Sequence, residues 1–195
     1  MYLLAVGSLC WAIDVGDANE LLINVGSNRN LEGVFITHPH YDHIQGINDV
    51  ARSFPNCCFY GSTQTLTGLK DSKLNLSFYH ENPVVYTGDS CKIFPENGVQ
   101  LGLSGPLIKG VPTPGHFKGS ITYWCCSYVF TGDSFIPGIP VVTKLKTGNR
   151  QESKSSLKLI RTILSKNTVV CPGHGPMKLS EELDDFDFPD LNEST

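Results

Sequence analysis

At 195 residues the chain is long enough to bury one sizeable core, and it is read most simply as one folded domain. Its 40% hydrophobic and 17% charged residues exclude an intrinsically disordered chain. A net charge of −4 with no basic stripe excludes a nucleic-acid footprint, and no apolar run is long enough to span a membrane.

Nineteen glycines and 12 prolines predict many turns and a β-rich fold with irregular connections. Met1 to Val15 reads as one or two buried strands closed by Asp14-Val15-Gly16-Asp17. This stretch has no leading Lys or Arg, and Asp14 interrupts it early, which argues against a signal sequence. A short helix follows around Leu21-Leu22-Ile23, stopping at Gly26 to Asn28. The apolar run from Gly33 is a strand, and residues 44, 47, 50, 51 and 54 recur at helical spacing. Cys57 to Tyr60 is a further strand, with a small helix starting at Ser62.

From Leu74 the pattern predicts strands over 76–79, 84–86, 91–94 and 99–103, separated by turn signals. Leu107 to Val111 and Ile121 to Phe130 are two more apolar runs, read as one strand each. A Pro/Gly-rich loop over 135–151 carries Lys144, Lys146 and Arg150, read first as solvated surface cations and second as a grip on an anionic substrate. An amphipathic helix is expected over Ser155 to Leu164 and a last strand at Val169 to Cys171. The acidic segment 181–195 is expected to be a terminal helix or a partly ordered tail.

The seven cysteines show no zinc-finger spacing, and Cys57-Cys58 and Cys125-Cys126 are adjacent pairs. Small buried hydrophobes in a reducing, cytoplasmic compartment are the expectation.

Chemistry concentrates at Thr37-His38-Pro39-His40-Tyr41-Asp42-His43, directly after a Val/Ile/Phe run. Three imidazoles and a carboxylate at a strand end form a candidate metal site, since such ligands suit zinc and similar ions. Two further histidines, His116 and His174, stand beside Gly and Pro after apolar runs, and Asp133 stands in the same setting. His80 has no motif around it and is read as structural or surface. Tyr41 either packs or lines the site.

His38-x-His40-x-Asp42-His43, Thr113-Pro114-Gly115-His116, Phe130-Thr131-Gly132-Asp133 and Pro172-Gly173-His174-Gly175 together resemble the signature of the metallo-β-lactamase-fold hydrolases. The wording is nearest the glyoxalase II-like (hydroxyacylglutathione hydrolase-like) branch. Four separated motifs in order make the resemblance specific for fold and metal site, and much less so for substrate. It covers residues 1–176, with residues 1–180 expected to form the hydrolase domain and 181–195 the acidic tail.

The resemblance implies an α+β fold, a four-layer αββα sandwich with metals in a groove at one edge. It implies two Zn2+ per chain, with Fe or Mn as alternatives. His38, His40 and His116 would hold one ion; Asp42, His43 and His174 would hold the other; Asp133 would bridge them. Asp14 resembles a position that orients a ligating imidazole, and a plain turn aspartate is the equal alternative.

The implied reaction is attack by a metal-bridging hydroxide on a small thioester, ester or lactone, with Asp42 managing the proton. Glyoxalase II enzymes carry a C-terminal helical domain that supplies much of the glutathione site. This chain ends about twenty residues after His174, so the resemblance leaves glutathione specificity open. The alternatives are a mononuclear iron persulfide dioxygenase, a phosphodiesterase acting on a small nucleotide, and a non-catalytic binding protein on the same scaffold. The expected partner is a small-molecule substrate, with neither nucleic acid nor membrane.

Overall fold

Strands β1 (Tyr2–Val6) and β2 (Leu9–Ile13) pair as a hairpin that turns at Gly7, where a φ of +61° suits glycine. The computed structural model describes residues 1–192 and divides into two units, Met1–Pro106 and the remainder from Leu107.

In the first unit, helix α1 (Ala18–Val25) starts where the Asp17 side chain accepts from the Glu20 amide, and stops at Gly26. Strand β3 (Asn30–Phe35) runs parallel to β2, and a loop leads from it to the single turn α2 (Tyr41–Ile44) and helix α3 (Ile47–Ser53). Then come β4 (Cys58–Gly61), α4 (Thr63–Leu69) capped by Ser62, β5 (Cys91–Ile93) and the two-residue β6 (Val99–Gln100). The sheet order is β1-β2-β3-β4-β5, parallel from β2 onward. One face packs Ala12, Val34 and Ile36 against Leu21, Ile44 and Ile47 of the helices. Burial of each large aliphatic side chain there contributes about 1.5–3 kcal/mol.

Two expectations change here. The helical pattern over 44–54 is two helices, because a side chain at Gly46 would lie 2.6 Å from the Ala18 nitrogen; the backbones meet and the helix breaks. Residues 76–79 and 84–86 are not strands. Ser77–Tyr79 is a 3-10 turn, and the Val84 backbone is satisfied by side chains instead of a neighbouring strand. Its amide donates to Ser77 Oγ (2.8 Å), and its carbonyl accepts from Asn75 Nδ2 (2.9 Å) and Ser77 Oγ (3.1 Å).

The second unit holds β7 (Leu107–Pro112), β8 (Ile121–Cys125), β9 (Tyr128–Gly132), α5 (Arg150–Ile163), β10 (Val169–Pro172), β11 (Lys178–Leu179) and α6 (Pro189–Asn192). Its strands follow the order β11-β10-β9-β8-β7. The run Ile121 to Phe130 is therefore two strands, folded back at Cys126, which takes a left-handed φ of +54°. Helix α5 begins five residues earlier than expected, because the Asn149 side chain caps the Gln151 and Glu152 amides.

Residues 181–192 make short 3-10 turns and α6, and Phe188 is buried against Phe135, Leu157 and Ile160. The last three residues of the acidic tail, 193–195, lie outside the described residues. Among the described residues no helix is long and apolar enough to cross a membrane.

Candidate metal centre

The first unit contributes four of the expected ligands on one loop and one helical turn. Pro39 biases His38 toward an extended conformation, and His40 (φ −60°, ψ 148°) is the last extended residue before α2. The turn brings His43 back beneath His38: the ring centroids of His38 and His40 are 4.6 Å apart, and those of His38 and His43 4.1 Å. All three rings are buried, whereas the Asp42 side chain at the start of the turn is 53% exposed. Its Oδ2 lies 3.9 Å from His43 Nε2.

Asp14 fixes this group. It sits buried at the end of β2 in the left-handed region, φ +57°, a conformation tolerated more readily by Asp than by most residues. Its Oδ1 accepts from the Thr37 amide (2.7 Å), and its Oδ2 accepts from Thr37 Oγ1 (2.8 Å) and His43 Nδ1 (2.7 Å). A carboxylate only accepts, so Thr37 Oγ1 must spend its proton on Asp14 and accept from His38 Nδ1 at 3.1 Å. Both His38 and His43 thus carry their proton on Nδ1 and present Nε2 as a lone pair, the form a metal requires. The 14–16 turn is sewn to the ligand turn by Val15 N–H to His43 O (2.8 Å) and Gly46 N–H to Val15 O (2.9 Å). Gly16 passes so close that a Cβ would stand 2.3 Å from the Asp42 carbonyl oxygen.

The second unit holds the other three expected ligands on three separate loops. His116 follows Gly115, whose φ of +135° and whose approach to the Ser153 backbone (2.3 Å for an added Cβ) exclude a side chain. Ser156 Oγ donates to the Pro114 carbonyl (2.6 Å), docking the loop on α5. His116 Nδ1 donates to the Val142 carbonyl at 2.9 Å, which again leaves Nε2 as the lone pair. Asp133 follows β9 and precedes Ser134, whose buried hydroxyl joins those of Thr113 and Thr122 through hydrogen bonds of 3.2 and 2.9 Å. Gly173 N–H donates to the Gly132 carbonyl (2.9 Å), which ties the His174 loop to the Asp133 loop. Asp133 Oδ2 stands 3.7 Å from His116 Nε2 and 3.6 Å from His174 Nε2.

Those spacings are informative. They exceed hydrogen-bond length. Two ligands at about 2.0–2.2 Å from one tetrahedral ion stand about 3.3–3.6 Å apart. Imidazole nitrogens and carboxylate oxygens, with no thiolate among them, also match the preferences of zinc or iron. The donor set therefore fits a divalent metal.

Other sequence candidates fall outside these two groups. Lys144, Lys146 and Arg150 are exposed, and Arg150 is the first residue of α5. His80 is exposed and stacks on Tyr41, with ring centroids 4.0 Å apart and planes 17° apart. All seven cysteines are free thiols. Two orienting groups carried little sequence signal: the Thr37 hydroxyl inside the motif, and the Val142 carbonyl, which any residue would supply.

The metallo-β-lactamase superfamily model matches residues 13–174, which span Asp14 and all seven expected ligands. The structure of BLEG-1 B3 metallo-β-lactamase is similar with a TM-score of 0.87 and 24% identity, covering 98% of this chain and 93% of that one. TTHA1623 in a di-iron-bound form gives a TM-score of 0.77 at 22% identity, over 95% of this chain and 93% of that one. ETHE1 from Myxococcus xanthus gives 0.71 at 21%, over 99% and 80%. These likenesses establish the fold, as the four motifs implied, and with the family match they show that the chain belongs to the metallo-β-lactamase superfamily.

Proposed function

We propose that the protein is a metal-dependent hydrolase of a small thioester, ester or lactone, with two ions per chain. In this reading His38, His40 and His116 hold one ion, Asp42, His43 and His174 the other, and Asp133 serves both. The observation that carries it is the placement of Asp133 Oδ2, nearly equidistant at 3.6 and 3.7 Å from two imidazoles assigned to different ions. When bound, the metal pair supplies a water with its pKa lowered from 15.7 to about 7 and a charge that polarises the substrate carbonyl.

The protein's own contribution is orientation. Asp14 and the Val142 carbonyl hold three imidazoles in the ligating tautomer before any ion arrives. Asp42, half exposed, stands nearer to solvent than the buried ligands, which suits the proton-managing role proposed for it. No side-chain nucleophile is needed, which agrees with the absence of Ser or Cys from the ligand motifs.

Metal analysis and a substrate panel test this together. The expected result is about two zinc per chain and hydrolysis of at least one of lactoylglutathione, an acyl-CoA, a lactone or a β-lactam by metal-reconstituted protein. A single iron with no hydrolysis would replace it with oxygen chemistry on a persulfide; the di-iron form of a similar structure supports iron as the second candidate metal. Turnover of a bis-phosphodiester alone would favour a small nucleotide. Full metal content in both Asp133→Ala and His116→Ala would sink the ligand assignment.

A further inference from the structure

The C-terminal segment reaches the metal ligands through the 135–149 loop. This loop touches His116 and the residue before it: the Val142 carbonyl accepts from the ring Nδ1 (2.9 Å), and the Asn149 amide donates to the carbonyl of Gly115 (2.8 Å). Between β9 and α5 it has little regular structure, with one Ile136–Ile139 bridge and a turn closing from Gly148 N–H to Leu145 O. What fixes its register comes from residues 184–191.

Asp190 Oδ2 accepts from the Val141 amide at 2.7 Å, one residue before the carbonyl that holds His116. The Gly138 amide donates to the Asp187 carbonyl (3.2 Å), and Phe188 stacks on Phe135 at 4.4 Å with planes 9° apart. Asp187 is itself anchored, with its carboxylate accepting from Lys178 Nζ (2.7 Å) and from the Asp184 amide (3.0 Å). Burial opposes its ionisation, yet the Lys178 hydrogen bond and charge and the Asp184 amide outweigh it and hold its carboxyl below the usual value. The tail is thus a three-point clasp on the loop.

We propose that Asp190 is a positioning residue for His116: its carboxylate fixes Val141, and thereby the Val142 carbonyl that sets the tautomer and direction of the His116 ring. The proposal rests on the metal reading above. A charge-assisted bond to one peptide unit is stronger than a neutral one and transmits directly to the next. The local alternative, in which Asp190 merely covers the end of the fold, would affect stability and leave metal affinity alone.

The test titrates the metal-free full chain with Zn2+ against a chelating indicator, for the wild type, Asp190→Ala, Asp190→Asn and Asp185→Ala. In Asp190→Ala one of the two binding steps weakens by about tenfold, the low end for losing a partner that orients a ligand, and the other step is unchanged. Asp190→Asn keeps an acceptor oxygen and recovers most of the loss. Asp185→Ala, on the same segment but paired with Arg161 at the surface (3.1 Å), behaves as wild type. Amide exchange of the metal-free proteins gives a second readout, with Val141 exchanging faster in Asp190→Ala alone.

Wild-type affinity for both ions in Asp190→Ala, or an equal loss in Asp185→Ala, would overturn the proposal. Should Asp190→Ala not fold, Asp190→Ser takes its place and reads the same two quantities. A wild-type protein that binds no ion overturns the functional reading, and this inference with it. One that binds two ions indifferent to residue 190 overturns the inference alone.

Discussion

The two ligand groups reach the same result by opposite means. In the first unit four of the proposed ligands lie within six residues, and one buried carboxylate, Asp14, orients two of the rings through Thr37 and His43 Nδ1. In the second unit each ligand arrives on its own loop. His116 is held by a distant carbonyl, Asp133 sits beside Ser134, whose hydroxyl is bonded to Thr113, and the His174 loop is tied by a hydrogen bond from the Gly173 amide to the Gly132 carbonyl. The first group depends on one residue; the second depends on the correct packing of its unit. A local cluster concentrates risk in its orienting carboxylate, whereas a dispersed one spreads it over the backbone. Mutation should separate these two designs.

The largest effect is expected at Asp133. Asp133→Ala removes the oxygen flanked by both imidazoles of the second group. Activity should fall by about 10^3-fold or more, the upper range for removing one preorganised electrostatic group, and metal content should drop while circular dichroism is retained. Activity within tenfold of wild type would show that the second group is not a functional unit.

Next come the two glycines that let the ligand loops pass. Gly115→Ala combines a φ of +135° with a clash on the Ser153 backbone, and should cost about 2–5 kcal/mol of stability, strain and overpacking together. Gly16→Ala meets only the Asp42 carbonyl and has no left-handed φ to maintain, so about 1–3 kcal/mol is expected. Chemical denaturation measures both. A larger cost at Gly16 would reverse the claim that the second group leans more on its backbone.

Asp14→Asn probes the first group without changing its shape, since Asn also tolerates the left-handed conformation. The amide offers one acceptor oxygen where the carboxylate offers two, so its NH2 group faces either the Thr37 amide or the pair of Thr37 Oγ1 and His43 Nδ1, and the bonds that fix both tautomers are lost or strained. Metal affinity should weaken by about 10–100-fold with little loss of secondary structure. An unchanged affinity in a titration of the metal-free chain would mean that the rings are held by packing alone.

The same contrast governs how much of the molecule could be read from its sequence. Residues 38–43 announced themselves because a helical turn places contiguous ligands together whatever the rest of the chain does. The fold followed because four motifs occur in a fixed order. Asp14 was legible through the resemblance as a residue that orients an imidazole or equally as a plain turn aspartate, and which rings it serves was not, since its partners Thr37 and His43 are far along the chain. The Val142 carbonyl was invisible, because every residue has one. The strands expected at 76–79 and 84–86 failed for a related reason: Asn75 and Ser77 side chains take the hydrogen bonds that a neighbouring strand would have supplied. Periodicity registers burial, and Val84 and Tyr86 are indeed buried, but it does not register who satisfies the backbone. The turn at Cys126 was missed because the residue there is neither Gly nor Asn, the usual occupants of a left-handed position.

The smallest effect is one in which the two units should behave alike. Burial pushes the Cys91 thiol of the first unit up to about 11, and the Cys171 thiol of the second up to about 12. In the unfolded chain both ionise near 9.0. The folded state keeps the proton longer, so above that pH the unfolded state binds fewer protons and stability falls as pH rises. Their contribution is fully present below about pH 9 and is lost as pH rises toward 11 for Cys91 and 12 for Cys171. Tm measured from pH 8 to 10.5 should therefore decline, and the decline should be shallower in Cys171→Ala. Any cavity left by the substitution lowers Tm at every pH alike, so the slope isolates the ionisation. Equal slopes in wild type and Cys171→Ala would mean that this thiol is reached by solvent in the folded state, and that the second unit is looser around β10 than its packing indicates.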